Sequence, residues 1–141
     1  MAAYAKFNQF VEDVFEKVHN CGSDTLKVML VNTAPTATNS IKGDLTEISA
    51  GNGYSAGGAA VTISSSAQTT GTYKLVLADV TFTASGGTIG PFRYAVLYND
   101  TPTSPADPLM GYWDYGSSIT LQDTETFTVD FSPTNGVIQA V

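Results

Sequence analysis

From Thr25 to the C-terminus the chain never sustains a helical repeat, and this constrains its fold more than any other feature. Its apolar residues come in short β-branched and aromatic runs, separated by clusters of Gly, Pro, Asn, Asp and Ser. Leu26–Val31 is such a run, closed by Asn32-Thr33-Ala34-Pro35. Asp44–Ile48 alternates polar with apolar, the period of a strand with one wet face. Gly51–Gly58 is a glycine-rich loop around Tyr54, after which Ala60–Ile63 starts a strand that leads into a Ser/Thr-rich connection. Tyr73–Leu77 and Val80–Ala84 form one long strand, or two broken at Asp79. Gly86-Gly87 turns the chain into Phe92–Tyr98, which is apolar enough to be a central buried strand. Beyond a loop marked by Pro102, Pro105 and Pro108 lie Leu109–Tyr115, Ser118–Leu121, Thr126–Phe131 and Gly136–Ala140. About eight strands with turns between them predict a mainly β fold, an antiparallel, jelly-roll-like β-sandwich. No helix separates these strands, which excludes a parallel α/β sheet.

The one helical pattern comes first. Phe7, Phe10, Val11, Val14, Phe15 and Val18 fall on a 3.6-residue repeat and predict an amphipathic helix at about 5–20. Asn8, Glu12, Asp13, Glu16 and Lys17 fill the other face, with Asp13 and Lys17 spaced as a favourable pair. Asn20 and Gly22 are the stop signals. The apolar stripe is expected to rest on the chain's own sheet, or else on a neighbouring subunit.

Length and composition narrow the function. The 141 residues suit a single domain, 1–141, large enough to bury a core without disulfide or metal staples. Cys21 is the only cysteine, so no intrachain bridge is possible. Charged residues make up 13%, against about 25% in an average soluble protein. The net charge of −7 and the six scattered Lys and Arg residues argue against nucleic acid, which is met by clustered cations. No run approaches the ~18 apolar residues of a membrane-spanning helix. Glu12, Asp13 and Glu16 interrupt the N-terminal pattern, unlike a signal peptide. The expected place of synthesis is a cytoplasm, with export only inside a particle.

Catalytic constellations fail on inspection. His19 is the sole histidine, and a dyad with Cys21 two residues away lacks a shared direction. As metal ligands the two would need partners, and no second Cys or His exists. The carboxylates Asp44, Glu47, Asp79, Asp100, Asp107, Asp114, Asp123, Glu125 and Asp130 fall mostly beside turns, without calcium-loop spacing. The Gly51–Gly58 loop has neither the following helix nor the lysine of a phosphate cradle. No enzyme, metal or cofactor is expected.

Gly111-Tyr112-Trp113-Asp114-Tyr115-Gly116 holds the only Trp and two Tyr within four positions. In a strand, Tyr112 and Asp114 face one side and Trp113 and Tyr115 the other. Core packing, a subunit contact and a sugar-binding platform are all open to these rings. The candidate partner-contact residues are Phe7, Phe10, Tyr54, Tyr112, Trp113 and Tyr115.

A set of stretches covering nearly the whole chain resembles small structural proteins of tailed-bacteriophage virions. They are Phe10-Val11-Glu12-Asp13 with Val18-His19-Asn20, Asp24–Leu30, Asn32–Pro35, Leu45–Tyr54 and Gly71–Asp79. Gly90–Asn99, Gly111–Gly116 and Phe127–Phe131 complete the set. The resemblance implies a virion location and, foremost, capsid decoration: many copies bound to the outer head lattice through the major capsid protein. It implies oligomers in the particle and carries no catalytic residues. Two other roles stay open, a tail component (tube, terminator or fibre attachment) and a carbohydrate-binding module for host attachment.

Overall fold

The computed structural model describes residues 3–141 and has the predicted class: mainly β, antiparallel throughout, with one helix near the N-terminus. The largest sheet has the order β1–β8–β7–β2–β3, from Tyr4–Lys6, Leu109–Leu121, Ile89–Asn99, Leu26–Val31 and Ala59–Val61. Opposite it lie β10–β5–β4 (Ile138–Ala140, Thr72–Leu77, Ile63–Thr69) and β6–β9 (Val80–Thr83, Thr126–Val129).

The large sheet is buried on both faces. On β2, Leu26, Val28 and Leu30 enter the core shared with the smaller sheets, where Leu75, Leu77, Phe82 and Val129 meet them. Met29 and Val31 point the other way, into a second cluster with Tyr94, Val96, Tyr98 and Leu109. Phe7 and Leu45 cover that second cluster from outside the sheet. This double burial explains why Tyr94–Tyr98 is so apolar: both of its faces are covered, whereas Arg93 just before it reaches the surface. A register shift between Leu97 and Tyr98 inserts Met110 as an extra residue on β8. Leu109 and Tyr112 can therefore serve the same cluster although three positions apart.

Several expectations need correction. The helix α1 spans Asn8–Phe15, not 5–20, because Tyr4–Lys6 pairs with β8 as an edge strand. It ends where Lys17 takes a positive φ of 66° and the Val18 N–H reaches back to the Asp13 carbonyl, several residues before Asn20 and Gly22. The Asp13–Lys17 pair does not form, since Asp13 is turned inward and its side chain accepts from Gln9 Nε2 at 3.2 Å. Asp44–Ile48 is not a strand: Lys42–Asp44 is a single 3-10 turn, and Glu47 makes only an isolated bridge to Val31. The Ser/Thr-rich stretch after Ile63 is strand β4, not a connection. Leu109–Leu121 is one continuous strand where two were expected. At Asp79 the chain changes sheets, β5 joining one and β6 the other; the Asp79 carboxylate accepts the Phe131 N–H at 2.8 Å.

Candidate functional site

The aromatic segment lies in β8, and its alternation holds. Tyr112 packs on the outer cluster, with ring centroids 5.2 Å from Phe7 and 6.3 Å from Tyr94. Trp113 and Tyr115 project to the opposite face, towards β9. Gly111 leaves room for this arrangement: a Cβ there would overlap the Tyr4 ring, and a larger residue would have to displace it. Tyr4 in turn packs on Trp113 at 5.4 Å and donates from its hydroxyl to the Met110 carbonyl at 3.1 Å. Burial pushes its phenol pKa far above the ordinary value, so it stays a neutral donor.

Between β8 and β9 runs an open cleft of about 370 Å³, lined by Ala95, Trp113, Tyr115, Phe127, Thr128, Val129 and Asp130. β9 is hydrogen-bonded on one side only, to β6, so the cleft follows an unpaired sheet edge. Trp113 is braced edge-on by Phe131 at 5.5 Å. Phe127 is braced by Phe92 at 5.0 Å and meets Tyr115 at 5.6 Å with 77° between the ring planes. Tyr115 is the exposed member of the set, at 55%. The sequence reading missed Phe127, Phe131 and Asp130. Their alternation in Thr126–Phe131 was visible, but nothing local said that this strand would lie against β8.

A second exposed apolar surface lies on α1. The stripe expected to be buried is divided: Phe7 and Phe10 enter the core, whereas Val11, Val14 and Phe15 face solvent, Phe15 at 84%. The register of β1 on β8 sets the cause. It anchors Phe7 on one face of the large sheet, and the two-turn helix then directs Phe10 and Asp13 inward.

Of the six candidate contact residues, the structure places Phe7, Phe10 and Tyr54 in the core, where no partner can reach them. Tyr54 instead closes the glycine loop from within. Its hydroxyl accepts the Leu30 N–H at 3.0 Å and donates to Glu47 Oε1 at 2.7 Å, and burial drives its pKa strongly upward. Tyr112 is half-buried against Phe7, and only Trp113 and Tyr115 come together at an open surface. His19 is buried rather than a loose helix-end residue, bonded to Asn99. Cys21 is partly buried, with its thiol pKa raised by burial. Among the described residues no three His, Cys, Asp or Glu side chains are grouped as a metal site requires, and no helix is long and apolar enough to cross a membrane. No protein family, curated protein or solved structure matches the chain.

Proposed function

We propose that this chain is a structural subunit of a tailed-phage virion, decorating the outer lattice of the head by binding the major capsid protein in many copies. The observation that carries this reading is the apolar strip of Val11, Val14 and Phe15 on α1. A ring as exposed as that of Phe15, beside two further apolar side chains, is the kind of surface that a protein partner covers. Exposed Glu12 and Glu16 flank it, which suits a partner groove with an apolar floor and a basic rim. The resemblance to virion proteins supports the same role.

Deleting residues 1–20 would remove β1, Phe7 and Phe10 from the fold, so a point substitution is the better test. Purified protein is mixed with undecorated heads, and co-sedimentation and added lattice density are measured. Wild type should bind saturably at a fixed ratio to capsid subunits. Phe15→Asp should weaken binding on the order of 30-fold, as for an interface hot spot. Bare heads together with spontaneous rings or tubes would replace decoration with the tail role. Binding left unchanged by Phe15→Asp would remove α1 as the contact.

A further inference from the structure

The cleft between β8 and β9 has a chemistry that the decoration role leaves unused. Three aromatic side chains line it, Trp113, Tyr115 and Phe127, and the last two are in edge-to-face contact, 5.6 Å apart at 77°. Its only charged lining residue is Asp130, an exposed carboxylate with no ion-pair partner among the described residues. We propose that this cleft binds a quaternary ammonium group, held between the faces of Trp113, Tyr115 and Phe127 and balanced by the charge of Asp130.

The physical case rests on complementarity. Aromatic faces carry the negative lobe of the ring quadrupole, and a cation within ~6 Å of a ring centroid is drawn to it. Among the described residues no Lys or Arg lines the cleft to oppose a cation, and the chain's net charge of −7 adds a favourable background field. The volume lies within the range of small-molecule pockets, roughly 300–1,000 Å³.

The same features disfavour other ligands. A sugar needs several directional donors and acceptors around its ring. Among the described residues the cleft offers the Asp130 carboxylate, the Tyr115 and Thr128 hydroxyls (the latter shared with Thr81 at 2.9 Å) and the β9 edge, but no amide or guanidinium side chain to reach around a sugar ring. A primary ammonium is compact and strongly hydrated, so it loses more on leaving water. An alkylated ammonium presents a weakly hydrated, apolar mantle over its charge. This site stands or falls independently of the virion role.

Trp113 is the only tryptophan, so its fluorescence reports directly on the cleft. Choline and tetramethylammonium are titrated into the purified full chain at constant ionic strength. The neutral isostere 3,3-dimethyl-1-butanol, lysine amide and simple pyranoses serve as comparisons. A saturable change with choline, at a dissociation constant on the order of millimolar, is expected. The neutral alcohol and lysine amide should bind at least ~5-fold more weakly. Tyr115→Ala and Asp130→Asn, both at exposed positions, should each weaken choline binding by about 5-fold with the melting temperature unchanged. Equal binding of the alcohol would reduce the site to an apolar crevice and overturn the proposal. Saturation by pyranoses but not by choline would replace it with a sugar platform. No saturable change with any probe, or variants that bind choline as wild type does, would refute it as well.

Discussion

Asn99 and His19, 80 residues apart in the chain, meet at the end of β7 with Asn99 Nδ2 3.1 Å from His19 Nδ1. The amide orientation is set by its other contacts: Thr101 N–H donates to Asn99 Oδ1 at 3.1 Å, and Asn99 Nδ2 donates to Asp24 Oδ2 at 2.6 Å. His19 Nδ1 is therefore an acceptor, and the neutral ring carries its proton on Nε2. That nitrogen lies 4.0 Å from Asp13 Oδ2, and both atoms are buried without a hydrogen-bond partner. Phe10 closes the site with its ring centroid 5.2 Å from that of His19. A single neutral imidazole thus ties the turn after α1 to the body of the sandwich.

Acid should loosen this tie. Burial holds the His19 pKa below its ordinary value, against a smaller upward pull from Asp13 and Asp24. The unfolded chain takes up this proton near pH 6.5, whereas the folded chain resists it. The stability that His19 contributes is fully present above about pH 6.5 and is lost as the pH falls from there through the lower folded value. Melting temperatures measured from pH 7.5 down to 5 should decline, and His19→Gln should remove that part of the slope. Identical slopes for the two proteins would mean that His19 titrates freely.

Tyr54→Phe should cost about 1–3 kcal/mol in urea unfolding. The variant keeps the ring in the core but strips the buried Leu30 N–H and Glu47 Oε1 of the hydroxyl between them. Glu47 retains the Gly57 N–H at 2.7 Å, so the loss should fall short of that for a buried unpaired charge. A change below about 0.5 kcal/mol would show that another donor replaces the hydroxyl.

Two glycines with similar backbone angles should respond very differently to alanine. Gly58 has φ +79°, and a Cβ there would lie 1.9 Å from the Val28 carbonyl oxygen. Gly71 has φ +84° in the β4–β5 turn and open space around it. Gly71→Ala should cost about 1–2 kcal/mol for the left-handed conformation alone. Gly58→Ala should cost at least twice that, or prevent folding, because β2 would have to move. Equal costs measured by thermal unfolding would remove the close approach as the reason.

The two faces of α1 can be separated in the same way. Phe10→Ala should destabilise by about 3–5 kcal/mol, as for a phenylalanine lost from a packed core. Phe15→Ala should stay within about 0.5 kcal/mol. Both would be read from urea unfolding curves. A large loss at Phe15 would place the helix in a different rotation about its axis.

The alternation in β8 placed Trp113 and Tyr115 together and opposite Tyr112 without any structure, because successive side chains of a strand leave on opposite faces. The apolar run of β7 announced a buried strand for a comparable local reason. The rotation of α1 was not legible in this way. The 3.6-residue repeat puts Phe10, Val11, Val14 and Phe15 on one stripe, and a stripe is wider than the arc that a two-turn helix can bury. Asp13, which lies outside the stripe, is buried because Phe7 and β1 set the helix's approach. Tyr54 looked like a free loop residue for a similar reason: its partners Leu30 and Glu47 come from other segments.

The chain's local chemistry by itself determined the β-rich class, the positions of most strands, which strand is central, and which β8 residues share a face. These depend on backbone preferences and two-residue alternation, each expressed within a few neighbours. Tertiary structure decided which strands pair, that β5 and β6 part company at Asp79, that Phe127 and Asp130 meet Trp113 and Tyr115, and that His19 is locked to Asn99. Those outcomes depend on contacts between distant segments, whose free energy is gained only when the layers close on one another. No single segment carries that information, because the apolar faces of the strands are too alike to specify a partner on their own.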